Sequence, residues 1–210
     1  MAFGIPLRPG RLLPILQLAE RHGERCGGPV LLSGLILGIG VVELSCGALG
    51  QTSRFSLELL TLLVLQLAGP MLVALLSTAL LLPSWLEPGE WRQGSLAAAL
   101  TGALLMVLFV LAALTGGVLA SPRADLLGEF QELLSGLLAS DLLRSIVRAA
   151  LFLAILCGWC QWRGMPRLRR GVAPALVSSN LLLEALTLLM GLKLLWIVVL
   201  DPVRLGVAPP

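Results

Sequence analysis

Apolar residues in this chain run on without the strict alternation that a half-buried strand or a membrane barrel needs. They cluster into five long stretches, Gly28 to Leu49, Phe55 to Leu82, Ser95 to Ala120, Leu142 to Trp162 and Val172 to Leu200. Each is at least as long as the roughly 20 residues an α-helix needs to cross a hydrocarbon layer of about 30 Å. Two further stretches mix apolar and charged positions. Residues 11–20 carry Arg11 and Glu20 among leucines, and Asp125, Glu129 and Glu132 are interleaved with leucines at helical spacing across 124–140. Both read as amphipathic helices at a membrane face.

Composition sharpens the picture. Of 210 residues, 57% are hydrophobic and only 13% charged, and the mean hydropathy is +0.95. That charge is too sparse to cover a water-soluble domain. In lipid every backbone polar group must be paired within the protein, so unbroken runs of this length mean helices. The expected fold is an all-α integral membrane protein with an N-terminal interfacial helix and five transmembrane helices. Residues 1–27 form the N-terminal segment, 28–200 the membrane domain and 201–210 a short tail.

The run Leu59-Leu-Thr-Leu-Leu-Val-Leu-Gln-Leu-Ala-Gly-Pro-Met-Leu-Val-Ala-Leu-Leu76 has a helix breaker at its centre. Proline withholds a backbone donor, and in a membrane helix neighbours satisfy the freed carbonyl, so Gly69-Pro70 predicts a kink.

Arginine placement sets the expected orientation. With the N-terminus in the cytoplasm, the inner side holds Arg8, Arg11, Arg21, Arg25, Arg92, Arg163, Arg167, Arg169 and Arg170. The outer side holds Arg54, Arg123 and Arg204, with Arg144 and Arg148 at the start of the fourth span. Five spans then place the C-terminus outside, as expected for a multi-pass protein of a bacterial cytoplasmic membrane.

Few residues suggest chemistry. Cys157-Gly-Trp-Cys160 has thiol-redox spacing, but it falls at the cytoplasmic end of its span, where thiols stay reduced. His22 is the sole histidine and nothing nearby completes a metal site. No P-loop, catalytic triad or metalloprotease motif occurs, and no basic, aromatic-interleaved surface suggests nucleic acid. No cofactor is implied, and the chain reads as no enzyme. Charges inside spans are the better lead. Glu43 and Glu184 are candidates for a cavity lining or subunit seam, whereas Lys193 is expected to snorkel outward. Gly34-Leu-Ile-Leu-Gly38 and Ala98-x3-Gly102 are small-residue faces suited to close helix approach. Arg163, Arg167, Arg169 and Arg170, beside Trp159 and Trp162, read as a cytoplasmic anchor on anionic lipid or a docking surface.

Several stretches resemble the MlaE-type permeases, membrane subunits of ABC systems that move phospholipids with MCE-domain partners. Gln66-Leu-Ala-Gly-Pro-Met-Leu-Val-Ala-Leu75 resembles the family's Arg-Glu-Leu-Gly-Pro stretch. Glu87-Pro-Gly-Glu-Trp91 and Thr115-Gly-Gly117 resemble the entry to and exit from its third span. Asp141-Leu-Leu-Arg-Ser-Ile-Val-Arg148, then Phe152, Gly164 and Gly171-Val-Ala, follow the order near its C-terminus. The resemblance covers residues 11 to 200 and implies a dimer of permease subunits served by a separate ABC ATPase and an MCE-domain protein, with membrane lipid as cargo. Three departures stand beside it. Gln66-Leu67 replaces the charged Arg-Glu pair, Leu176-Val-Ser178 replaces a Thr-Thr-Arg stretch, and Pro83 to Glu90 is too short for a cytoplasmic coupling helix of several turns. The short loop raises an alternative, a non-transporting scaffold subunit that pairs with a full-length permease. A membrane thiol oxidoreductase built on Cys157 and Cys160 is a third.

Overall fold

The computed structural model describes residues 12–45, 60, 63–87, 91–120 and 139–199. Among these the chain is helical, and five helices are long and apolar enough to cross a membrane. They are α1 (Leu12–Glu43), α2 (Gly69–Trp85, preceded by a π-helical turn, Leu63–Ala68), α3 (Trp91–Ala120), α4 (Ala139–Arg169) and α5 (Pro174–Val199). The expected all-α membrane architecture is therefore the architecture observed. The amphipathic segment 124–140 and Cys46 lie wholly or largely outside the described residues.

The elements start and stop where backbone chemistry allows. At 32 residues α1 is about 48 Å long. Its amphipathic first turns are helical, as expected, but they continue without a break through Gly27, Gly28 and Pro29 into the first span. The buried face of those turns is taken up by the bundle. Ala19, His22 and Cys26 are buried, and the Thr101 hydroxyl of α3 donates to the Ala19 carbonyl at 3.4 Å. Likewise α4 continues through Pro166 to Arg169, seven residues beyond the expected end of the fourth span. It closes at Gly171, whose φ of 78° only glycine adopts readily. There the Gly171 N–H donates to Leu168 O (2.9 Å) and the Val172 N–H to Arg167 O (3.3 Å). Those two bonds cap the last carbonyls, and Pro174 opens α5 at a position where its missing N–H costs nothing.

Helix α3 is the most buried of the five spans and packs between α1 and α4; α2 lies against all three, and α5 packs on α2 and α4. Small residues bring α1 onto α3. A Cβ at Gly34 would stand 2.7 Å from the Phe109 carbonyl oxygen, and one at Gly38 would overlap the Ala113 carbonyl. On the opposite flank of α3, a Cβ at Gly102 would stand 2.9 Å from Ala149 O of α4. The core between them holds Cys26, Val30, Leu105, Met106, Phe109, Phe152 and Leu156. Leu32 and Ile36 of α1 and Leu183, Leu194 and Val198 of α5 are exposed. In water such faces would demand a cover; in hydrocarbon they meet solvent of their own polarity.

Candidate functional site

The site begins with what Pro70 cannot do. In a regular helix the N–H of residue 70 would donate to the carbonyl of Gln66, and proline has none. At the site of the expected kink the chain forms a π-helical turn over Leu63–Ala68 and converts to α-helix at Gly69. Gly69 is required there, because a Cβ would overlap Val64 O and stand 2.7 Å from the Met106 methyl. Two carbonyls of the turn are taken up by other helices. Leu65 O accepts from the Ser145 hydroxyl of α4 at 2.6 Å. Gln66 O accepts from Arg148 Nη1 of α4 at 2.8 Å and from Lys193 Nζ of α5.

Spacing along each helix makes this convergence possible. Ser145, Arg148 and Phe152 share one face of α4, and Lys193 and Trp196 share one face of α5. The Arg148 guanidinium carbon lies 4.9 Å from the centroid of the Trp196 ring, and Phe152 meets that ring edge-on at 6.2 Å. Arg148 is 5% and Lys193 6% exposed, and both make further interactions besides these. Two cations buried in spanning helices are costly, and such groups mark functional positions in membrane proteins. Here they act as donors that satisfy a broken helix.

Deeper along the seam between α2, α4 and α5, the lining turns apolar. Leu75, Thr78, Leu156, Leu182, Ala185 and Leu189 line a shallow depression that leaves no room for a water molecule. Its one polar side chain, Thr78, donates back to Ala74 O at 2.7 Å. The same faces of α4 and α5 therefore carry polar groups toward one end and hydrocarbon below.

The structure distributes the other candidates elsewhere. Lys193, expected to snorkel outward, points inward to Gln66; that expectation is corrected, because a carbonyl freed by Pro70 is a better partner than the distant interface. Gly34 and Gly38 form the α1–α3 seam within the chain. Glu43 is exposed at the last residue of α1. Glu184 lies between α4 and α5, nine residues before Lys193 and level with the apolar lining, bonded to Arg167 at 2.7 Å and Arg163 at 3.4 Å. Arg163 also lies 5.6 Å over the Trp159 ring, while Arg169 and Arg170 are exposed. Cys157 and Cys160 are free thiols with no exposed surface, packed in the core. His22 is buried, and no group of three metal-ligating side chains occurs among the described residues.

Sequence reasoning missed Ser145, Arg148 and Trp196. The available signal was Pro70, which frees the carbonyl four residues before it, together with a basic residue inside each of the last two spans.

These features define an all-α multi-pass membrane protein with a broken second span and a buried polar node. Compared with family models, with characterised proteins and with solved structures, the chain matches none.

Proposed function

We propose that this chain is a permease-like membrane subunit that handles an anionic amphiphile, with phospholipid the best fit to the sequence resemblance. One observation carries the reading. The second span is broken inside its apolar run, the Gln66 carbonyl that Pro70 frees is held by buried cations from two other helices, and apolar side chains line the seam beyond it. Discontinuous helices with charged partners are how many membrane transporters build their pathways. In its specific form the proposal is an MlaE-type subunit of a bacterial cytoplasmic membrane, N-terminus inside, working as a dimer with an ABC ATPase and an MCE-domain protein.

The connection between α2 and α3 favours a second reading. Only residues 86–90 separate Trp85 from Trp91, which leaves no length for a helix that could insert into an ATPase. A scaffold subunit paired with a longer permease needs no such helix. Purification of the chain from its native membranes in a mild detergent separates the two. Co-elution of an ATPase and an MCE-domain protein supports the permease. Recovery with a longer homologous permease and no ATPase contact supports the scaffold, and recovery with none of these overturns both.

A further inference from the structure

We infer that the π-helical turn Leu63–Ala68 is a two-position switch, latched in its present state by Ser145, Arg148 and Lys193. A π turn contains one residue more than the α-helix it interrupts. Relaxing it to α-helix shifts the register of everything N-terminal to the turn by one residue, with the shift accumulating across Leu63–Ala68. One residue corresponds to a rotation of about 100° and a translation of about 1.5 Å along the axis. Below Gly69 nothing has to move, since α2 is a continuous helix from Gly69 to Trp85.

Three observations support a switch rather than a fixed irregularity. First, the turn is held from outside. Its Leu65 and Gln66 carbonyls accept from side chains on α4 and α5, so releasing those donors frees the turn without breaking any other helix. Second, the two directions are unequal in what they bury. Val64 and Leu65 face the core, whereas Gln66 and Leu67 are exposed, and a one-residue shift exchanges neighbours of opposite character. Third, the junction tolerates only glycine. A side chain at position 69 would overlap Val64 O, a backbone atom of the turn itself that moves when the turn becomes regular, whereas its other close neighbour, the Met106 methyl, is the end of a flexible side chain that can give way. Lys193 is the component most open to outside control, because α5 is the least buried of the five spans and packs chiefly against α2 and α4. Movement of α5 away from α2 withdraws the ammonium from Gln66 and opens the latch.

Spin-label distances in the full chain, reconstituted in lipid nanodiscs, test this. One label goes on Leu67, an exposed residue of the turn, and reference labels go on Leu96 or Leu104 of α3, both exposed, in a chain whose native cysteines are replaced. Leu80, exposed on α2 below the junction, serves as the control. The rotation builds up through the six residues of the turn, so Leu67, two residues from the fixed Gly69, takes about a third of the full 100° and its side chain, at a helix radius of 5–6 Å, moves by about 3 Å. In the wild type each Leu67 pair should give one dominant distance. Lys193→Met should add a displaced population, and Gly69→Ala should make that population dominant, while Leu80 distances stay fixed in both. An unchanged Leu67 distribution in Lys193→Met overturns the switch, even if Gly69→Ala does not fold. Displacement of Leu80 together with Leu67 overturns it too, because the whole helix would then move. None of these outcomes depends on whether the chain transports lipid, which the co-purification above decides separately.

Discussion

Replacing Gly34 with alanine probes the seam that sets the bundle's geometry. Its added Cβ would stand 2.7 Å from the Phe109 carbonyl oxygen and 3.1 Å from Ala112 Cβ, where ordinary contact begins at 3.4 Å. The shortfall against the carbonyl is 3.4 − 2.7 = 0.7 Å. Since that neighbour is backbone, α1 and α3 must part or tilt to make room. Overpacking of this kind costs about 1–3 kcal/mol, and a 0.5–1 Å gap already forfeits a quarter to a half of each dispersion contact that faces it. Gly40, on the same helix, supplies the reference, because nothing lies within 4 Å of a Cβ there. Both substitutions gain the same helix propensity, about 1 kcal/mol, so their difference isolates the seam. Unfolding in mixed micelles, followed by fluorescence of the five tryptophans, should place Gly34→Ala about 1–3 kcal/mol below Gly40→Ala. That is roughly a 5- to 150-fold difference in the unfolding equilibrium. Gly38→Ala, which would overlap the Ala113 carbonyl, should fall lower still. Equal stabilities for Gly34→Ala and Gly40→Ala would refute close approach through glycine.

Other outcomes follow from the site. Pro70→Ala restores an N–H within reach of Gln66 O, so Lys193→Met should cost less stability in that background than in the wild type, by about 1 kcal/mol in the same unfolding assay. Glu184→Gln removes the charge that Arg163 and Arg167 share; as the three side chains are partly exposed, the loss should stay below about 1 kcal/mol. Cys157 and Cys160 should resist a membrane-permeant maleimide in the folded protein and label fully once it is denatured, as both thiols are 0% exposed; rapid native labelling would refute their burial. Reporter fusions at the two termini should fall on opposite sides of the membrane, as five spans require.

Much of this fold was legible because lipid leaves so few options. Long apolar runs had to be helices, and the five expected spans correspond one for one with the helices observed. Boundaries were harder. The expected first span opens at Gly28 and the expected fourth closes at Trp162, yet helix runs unbroken from Leu12 through Pro29 and on past Pro166 to Arg169. Proline forbids one donor but leaves the path of a long helix open when the bundle holds it on both sides. The polar node was half legible. Pro70 announced a free carbonyl at Gln66, but nothing local to Lys193 identified its partner 127 residues away. Arg148 looked like the flank of a span, because its depth depends on α4 extending upward to Ala139. The glycine pair in α1 promised a close contact, and only the packing of α3 identified the partner as internal.

Everything proposed for the second span rests on α4 and α5 jointly holding consecutive carbonyls of one turn, and a double-mutant cycle on Ser145→Ala and Lys193→Met measures that directly. Each substitution alone should cost about 1–3 kcal/mol. Loss of either donor loosens the turn that the other holds, so the double variant should lose at least about 0.5 kcal/mol less than the sum of the two. Losses that add to within about 0.3 kcal/mol would contradict it, since the two side chains would then be stabilising unconnected parts of the molecule.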